Sequence, residues 1–287
     1  MRVLAPAKIN VFLRITGRRP DGYHLLDSLM VPISLYDEID LEAWDVGRGA
    51  WTEKNTITVT CDDPALPADE TNLAYKAATL LGKETGVNAR IAIALRKRIP
   101  AGAGLGGGSS DAAAVLKGLN VLLSLGFNED RLRTLASQLG ADVPFFIPCR
   151  PARVQRVGEI LTPLPPLPVK WFVVTVPPFG VSTRWAYRRF DELLSQTDAV
   201  GNFALTNGHW PETELFVNDL ERAVIPAHPL IGELKARLLQ SGAEAALMSG
   251  SGSAVFGMFH NHSLAEQAAQ VLGKMGKVFV VEHLNSF

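Results

Sequence analysis

Apolar and polar residues alternate from Val3 to Thr16, placing Ile9, Val11, Leu13 and Ile15 on one side of a strand and Lys8, Asn10, Phe12 and Arg14 on the other. Lys8 and Asn10 then project the same way, roughly 7 Å apart. The same two-residue period predicts strands at 29–35, 38–44 and 56–61, and another through Ile91, Ile93 and Leu95. Helical spacing takes over elsewhere. Thr71 or Asn72 caps a helix that runs to about Lys83 and closes at Gly86. Ala112, Val115, Leu116, Leu119, Leu122 and Leu123 mark a second helix, and Glu129 to Leu139 a third. Leu164-Pro165-Pro166-Leu167-Pro168 blocks regular structure and reads as a linker. Beyond it come a strand (Trp171 to Val176) and a helix capped by Ser182 or Thr183 that carries Trp185, Tyr187 and Phe190. A loop without period covers 196–211. Helices at about 212–224 and 229–240, a glycine-serine run from Ala246 to Gly257 between short strands, a helix at 263–273 and a strand at 278–283 complete the chain. The mixture predicts an α+β fold cut near the linker into 1–164 and 165–287.

Between the strand ending near Leu95 and the helix after it lies Pro100-Ala101-Gly102-Ala103-Gly104-Leu105-Gly106-Gly107-Gly108-Ser109-Ser110. A plain strand-to-helix turn needs one or two glycines, and this one holds five within seven residues. Glycine reaches positive φ and lets backbone approach a ligand closely, and Ser109 and Ser110 are good helix caps. Strand, glycine loop and helix start together converge backbone N–H groups and the positive helix end on one point, where phosphate is stabilised. Gly102, Gly104 and Gly107 satisfy G-x-G-x-x-G, yet no acidic residue follows about 20 positions on, where Val121 to Gly126 is apolar apart from Ser124. No Walker lysine follows the glycines either.

Composition narrows the picture. A chain of 287 residues, 47% of them hydrophobic, builds a sizeable core and suggests two domains. With 28 basic against 29 acidic residues there is no global electrostatic case for nucleic acid or an anionic membrane. No apolar segment reaches a spanning length, and the apolar start ends at Lys8, unlike a signal peptide, so a cytoplasmic location is expected. Cys61 and Cys149 have neither disulfide-framework nor zinc spacing.

Gly104-Leu-Gly-Gly-Gly-Ser-Ser-Asp-Ala-Ala113 resembles the second motif of the GHMP kinases, and the family's three separated motifs occur in the right order along the chain. Pro6-Ala7-Lys8-Ile9-Asn10 resembles the family's first motif, which implies a catalytic Lys8; an exposed strand face is the alternative. Asp21-Gly22-Tyr23-His24 follows a Pro-Asp-Gly turn and is similar to the pair with which the cytidine-reading branch binds its base, tyrosine stacking and histidine hydrogen-bonding. Tyr187, four residues after Thr183, matches a second aromatic closing that pocket, with a core aromatic as the rival. Gly140-Ala-Asp-Val-Pro-Phe-Phe146 resembles the catalytic-base segment, making Asp142 the base candidate; alone, an acid in apolar company or a helix cap explains it equally. Asn72 and Lys97 match residues near the nucleotide, although capping and surface charge account for them about as well. The Ala246–Gly257 run resembles the third motif, which folds back toward the phosphate loop, or else is a hairpin.

The resemblance implies a two-domain fold with an N-terminal ATP-binding α+β domain, a C-terminal α/β-sandwich substrate domain and a site in the cleft between them. It implies ATP with Mg²⁺ carried on it, Lys8 and Asp142 as catalytic pair, and residues 100–110 with Asn72 and Lys97 around ATP. Asn10, Tyr23, His24, Thr183 and Tyr187 would surround a cytidine diphosphate-linked methylerythritol whose hydroxyl is phosphorylated. A sibling kinase for mevalonate or homoserine lacks reason for Tyr23-His24, and a non-catalytic nucleotide-binding protein is the remaining reading. One segment departs from the family pattern. Cys149, Arg150 and Arg156 stand where glycines are expected. Either these side chains crowd the backbone there or the arginines add phosphate contacts.

Overall fold

The two alternating stretches at 29–35 and 38–44 are halves of a single strand of 25 residues. The computed structural model describes residues 1–48, 57–193 and 208–287. In chain order the elements are β1 (Arg2–Arg18), β2 (His24–Arg48), β3 (Ile57–Cys61), α1 (Leu73–Thr85), β4 (Val87–Arg96), α2 (Gly107–Leu122) and α3 (Glu129–Ala136). There follow β5 (Ala152–Arg156), β6 (Ile160–Pro163), β7 (Trp171–Val176), α4 (Thr183–Leu193), α5 (Glu221–Ala227), α6 (Pro229–Gln240), β8 (Ala245–Met248), β9 (Val255–Phe259), α7 (His262–Leu272) and β10 (Lys277–Glu282). The fold is α+β. No described helix is long and apolar enough to cross a membrane.

One compact unit comprises Met1–Ala7, Leu35–Ile99 and Gly106–Cys149. In it β3 runs parallel to β4, with Ile57 opposite Ile91, and β4 runs antiparallel to the later half of β2, with Leu95 opposite Ile39. β4 buries Val87, Ala89, Ile91, Ile93 and Leu95 while the residues between them are less covered, which is the period that sequence alternation predicts. α1 and α2 pack on each other, and α1 also lies on β3 and β4. Asn72 caps α1 and Gly86, at φ 62°, closes it. α2 is buried along most of its length, and Gly118 lets it sit on β2: a Cβ there would lie 2.4 Å from Leu41 Cδ1.

The other unit comprises Lys8–Ser34, Pro100–Leu105 and Arg150–Phe287, so the boundary expected at 164/165 falls inside it. Its antiparallel sheet has the order β10-β7-β9-β8. Amphipathic α6 lies on β8 and β9, and α7 on β7 and β10, burying Val173, Leu234, Leu238, Val255, Phe259, Ala268 and Leu272 in one core. The earlier half of β2 pairs with β5, and β5 with β6.

Two helices also differ from the sequence expectation. The helix expected at 212–224 is a 3₁₀ turn (Thr213–Leu215), an extended stretch and then α5. Leu13 of β1 takes that stretch from the helix: its N–H donates to the Val217 carbonyl (2.8 Å) and its carbonyl accepts from Asp219 N–H (2.9 Å). α3 ends at Ala136 instead of Leu139, in a series of turns. Of the loop expected at 196–211, residues 196–207 lie outside the described residues.

Candidate active site

β1 is buried continuously from Ala5 to Leu13, on both faces, which rules out the exposed-face reading of Lys8. A buried ammonium is costly unless hydrogen-bonded. Lys8 Nζ donates to Asn10 Oδ1 at 2.5 Å, Asn10 Nδ2 to Ser28 Oγ at 2.8 Å, and Ser28 Oγ to the Phe12 carbonyl at 2.6 Å. The strand also holds both glycine loops. Lys8 N–H donates to the Leu105 carbonyl (2.9 Å) and Asn10 N–H to Ser249 Oγ (3.3 Å). Ser249 Oγ in turn donates to the Gly104 carbonyl (2.9 Å), and Ala254 N–H to the Ala103 carbonyl (3.1 Å). Residues 249–254 join β8 to β9, so the second glycine-serine run is a hairpin and also folds onto the first loop.

Only glycine allows this approach. Gly104 has φ +76°, and a Cβ on it would lie 2.1 Å from the Ser249 carbonyl oxygen. Gly250, at φ +56°, presents its backbone to Lys8 and Asn10: a Cβ there would be 3.4 Å from Lys8 Nζ and 3.3 Å from Asn10 Oδ1. Asn218 secures the second loop from below, donating through Nδ2 to the carbonyls of Met248 (2.8 Å) and Gly250 (2.7 Å).

In the same unit, the imidazole of His24 stacks on Tyr187, with centroids 4.8 Å apart, and its Nε2 bonds Asp191 at 2.7 Å. Asp191 also pairs with Arg18 at 3.2 Å. Tyr187 packs against the unit's core as well, as the core-aromatic alternative expects. Tyr23, after the turn at Gly22 (φ +91°), is 66% exposed. Thr183 Oγ1 bonds Ser251 Oγ of the second glycine loop at 2.9 Å.

Pro100, Ala101 and Gly102 belong to this same unit, whereas Asn72, Lys97, Gly106 to Ser110 and Asp142 lie in the first unit. Gly106, left-handed at φ 74°, is the cap of α2, and it makes no side-chain capping bond. The sequence expectation of Ser109 or Ser110 as cap is therefore corrected. Glycine turns the chain sharply enough for the helix to begin at Gly107, which leaves both serines inside the first turns. The N–H groups of that first turn keep their need for acceptors. Asn72 does cap α1, its Oδ1 accepting from Ala74 N–H at 2.8 Å while Nδ2 donates to the Pro67 carbonyl at 2.7 Å. Lys97 is no surface charge. Its side chain is 6% exposed, and Nζ bonds the carboxylates of both Asp37 and Asp111. Burial works against the ammonium, yet the two carboxylates outweigh it and hold the Lys97 pKa above its ordinary value. Burial pushes the Asp111 carboxyl up to about 7 despite the pull of Lys97. Asp142 is half-buried at the start of a 3₁₀ turn (Val143–Phe146), and its side chain makes no capping bond there, so a simple cap does not describe it.

At the segment that departs from the family pattern, Cys149 and Arg156 have φ of +43° and +59°. Glycine is the natural occupant of such backbone. Arg153 makes a paired contact with Asp27 (2.7 and 2.5 Å). Among the described residues, no group of three or more His, Cys, Asp or Glu is arranged to hold a metal ion. Asp37, Asp191, Ser249 and Asn218 were not singled out from sequence. Only the glycine-serine run containing Ser249 carried a signal, because the other three act across 61 to 167 residues of sequence or through plain polar contacts.

Residues 72–149 match the model of the GHMP kinases N terminal domain, and 198–278 that of the GHMP kinases C terminal domain. The chain is 44% identical to a 4-diphosphocytidyl-2-C-methyl-D-erythritol kinase of Syntrophotalea carbinolica, over 98% of each chain. It is 42% identical to one of Citrifermentans bemidjiense, over 96% of this chain and 95% of that one. A crystal structure of 4-(cytidine 5'-diphospho)-2C-methyl-D-erythritol kinase superposes with a TM-score of 0.80 at 37% identity, covering 99% of both. A homoserine kinase from Cytophaga hutchinsonii, at 21% identity and TM-score 0.73 over 100% of this chain and 95% of that one, shares the fold. With this identity sustained over nearly its whole length, the chain belongs to the 4-diphosphocytidyl-2-C-methyl-D-erythritol kinase family of GHMP kinases.

Proposed function

We propose that this protein transfers the γ-phosphoryl group of ATP to the 2-hydroxyl of 4-diphosphocytidyl-2-C-methyl-D-erythritol, giving ADP and the 2-phosphate in non-mevalonate isoprenoid precursor synthesis. The observation that carries the reading is the buried Lys8–Asn10 pair held by backbone and side-chain bonds against two left-handed glycine loops. Phosphoryl transfer asks for position and charge stabilisation more than for covalent chemistry, and that arrangement supplies both. Residues 100–110 hold the phosphates of ATP, which brings its Mg²⁺ with it, and Asn72 and Lys97 belong to the nucleotide side. Asp142 accepts the hydroxyl proton. Lys8 offsets the charge that develops on the transferred group. Asn10, Tyr23, His24, Thr183 and Tyr187 bind the cytidyl substrate, with Tyr187 and Asp191 setting the orientation of the His24 ring. In this reading residues 1–164 form the nucleotide half, 165–287 the second half, and the enzyme works in the cytoplasm.

The test is ADP release by purified protein with ATP and Mg²⁺, offering the cytidyl compound, mevalonate and homoserine in parallel. Turnover is expected with the cytidyl compound only. Asp142→Asn should lower kcat by about 10²- to 10⁴-fold with ATP affinity retained. Turnover with another acceptor overturns the base-reading pocket, and near-normal turnover of Asp142→Asn removes that residue from the reaction.

A further inference from the structure

The Asp37–Lys97–Asp111 cluster lies in the first unit, joining the chain just before residue 100 to the helix that begins at Gly107. Lys97 and the two residues after it end the segment from β4. Asp37 Oδ1 accepts the N–H groups of both Arg98 (2.6 Å) and Ile99 (2.9 Å), and its Oδ2 accepts from Lys97 Nζ. The same ammonium bonds Asp111 on α2, one turn into the helix that begins after the loop. Gly107, the first residue of that helix, rests on the same place: a Cβ there would lie 3.0 Å from Ile99 Cγ2 and 3.4 Å from Asp37 Oδ2. Asp37 is fully buried and the Asp111 side chain nearly so. Taking these charges out of water is expensive, and removing one partner strands the others.

We propose that Asp37, Lys97 and Asp111 are positioning residues, a clamp that fixes the spacing and direction of the two chain ends from which the loop 100–106 springs. The proposal rests on the reading that this loop holds the phosphates of ATP. Lys97 then acts on the nucleotide through the backbone it anchors, because its ammonium is committed to two carboxylates. Asp37 supplies what a bare ion pair lacks, since one of its oxygens gathers two successive backbone N–H groups at the loop entrance. The clamp sets the direction of the chain there as well as its distance from α2.

A clamp and a direct Lys97–phosphate contact predict opposite results for removal of a carboxylate. Asp111→Asn and Asp37→Asn loosen the clamp, so KM for ATP should rise about 10- to 100-fold, the range seen when outer supports of a site are lost, while KM for the cytidyl substrate changes less than twofold. If Lys97 contacted phosphate itself, the same variants would release its ammonium, and KM for ATP would hold or fall. Lys97→Met should behave as the carboxylate variants do, and Lys97→Arg, which keeps the charge, should recover most of the loss. Where Lys97→Met does not fold, amide hydrogen exchange of ligand-free Asp111→Asn carries the test, with faster exchange at residues 101–106 expected. Unchanged loop exchange, or a lowered melting temperature with KM for ATP unaltered, overturns the clamp. Absence of ATP turnover in the wild-type protein overturns the proposed function instead.

Discussion

Gly102 and Gly104 sit two residues apart in the first glycine loop, both left-handed, and they should respond very differently to alanine. At Gly102 (φ +64°) a Cβ meets nothing within 4 Å. The cost of Gly102→Ala is then the left-handed conformation alone, about 1–2 kcal/mol, offset by about 0.4–1 kcal/mol from the reduced freedom of the unfolded chain. A net loss of about 0–1.6 kcal/mol follows. At Gly104 (φ +76°) the Cβ would lie 2.1 Å from the Ser249 carbonyl oxygen, about 1 Å inside any contact real Cβ atoms make. The loops must part by that amount. Parting them strains the Ser249 Oγ bond to the Gly104 carbonyl and the Ala254 bond to the Ala103 carbonyl, worth about 0.5–1.5 kcal/mol each. With the same offset, Gly104→Ala should therefore cost about 1–5 kcal/mol in total, about 1–3 kcal/mol more than Gly102→Ala. Urea denaturation of the two variants beside wild type reads the difference, and steady-state kinetics should show KM for ATP raised far more by Gly104→Ala. Equal destabilisation by the two substitutions would refute the close approach of the loops, and with it the proposal that both build one phosphate site.

Asn218→Ala removes the side-chain donor to the carbonyls of Met248 and Gly250; thermal or urea unfolding should show a loss of about 2–4 kcal/mol. Lys8→Met leaves buried Asn10 Oδ1 without its lysine donor, so stability should fall by about 1–3 kcal/mol, and kcat by about 10²-fold or more if the ammonium stabilises the transferred phosphoryl group. Asp111 gives a pH signature. Its folded carboxyl titrates near 7 against an ordinary 3.8, so between these values the folded chain holds a proton that the unfolded chain has released, and stability declines as pH rises through that window. Asp111→Asn lacks the term. The stability of wild type relative to Asp111→Asn should thus be greater at pH 5 than at pH 8 in matched urea titrations, and a constant difference would show that the carboxyl does not titrate there. Lys97, whose pKa is raised above 10.5, contributes stability that is fully present below 10.5 and lost only as pH rises through its higher folded value.

Local chemistry made much of this protein legible in advance. β4, β7 and α1 with its Asn72 cap and Gly86 terminus stand where alternation, helical spacing and capping chemistry put them, because those signals act within one or two turns of chain. The glycine loop announced its backbone conformation for the same reason, since left-handed backbone at 102, 104 and 106 favours glycine whatever surrounds it. The sites at Cys149 and Arg156 show the converse. The backbone keeps the positive φ that a glycine pattern describes, although the side chains have changed.

What the tertiary structure decided lies in contacts between segments far apart in sequence. The extended stretch at 216–219 abandoned its helical pattern because Leu13 offered backbone partners, over a distance of 204 residues to Val217. The hydroxyls at 109 and 110 lost the cap to Gly106 because a left-handed glycine starts the helix earlier. Lys97 reads equally as a nucleotide neighbour or a surface charge, since a single sequence shows neither that Asp37 closes over it from 60 residues away nor that it is buried between two carboxylates. Periodicity and glycine chemistry are properties of neighbouring residues and are written in their order. Which strand or buried carboxylate meets which partner depends on how the packed elements fill space, and that is settled only when the whole chain has folded.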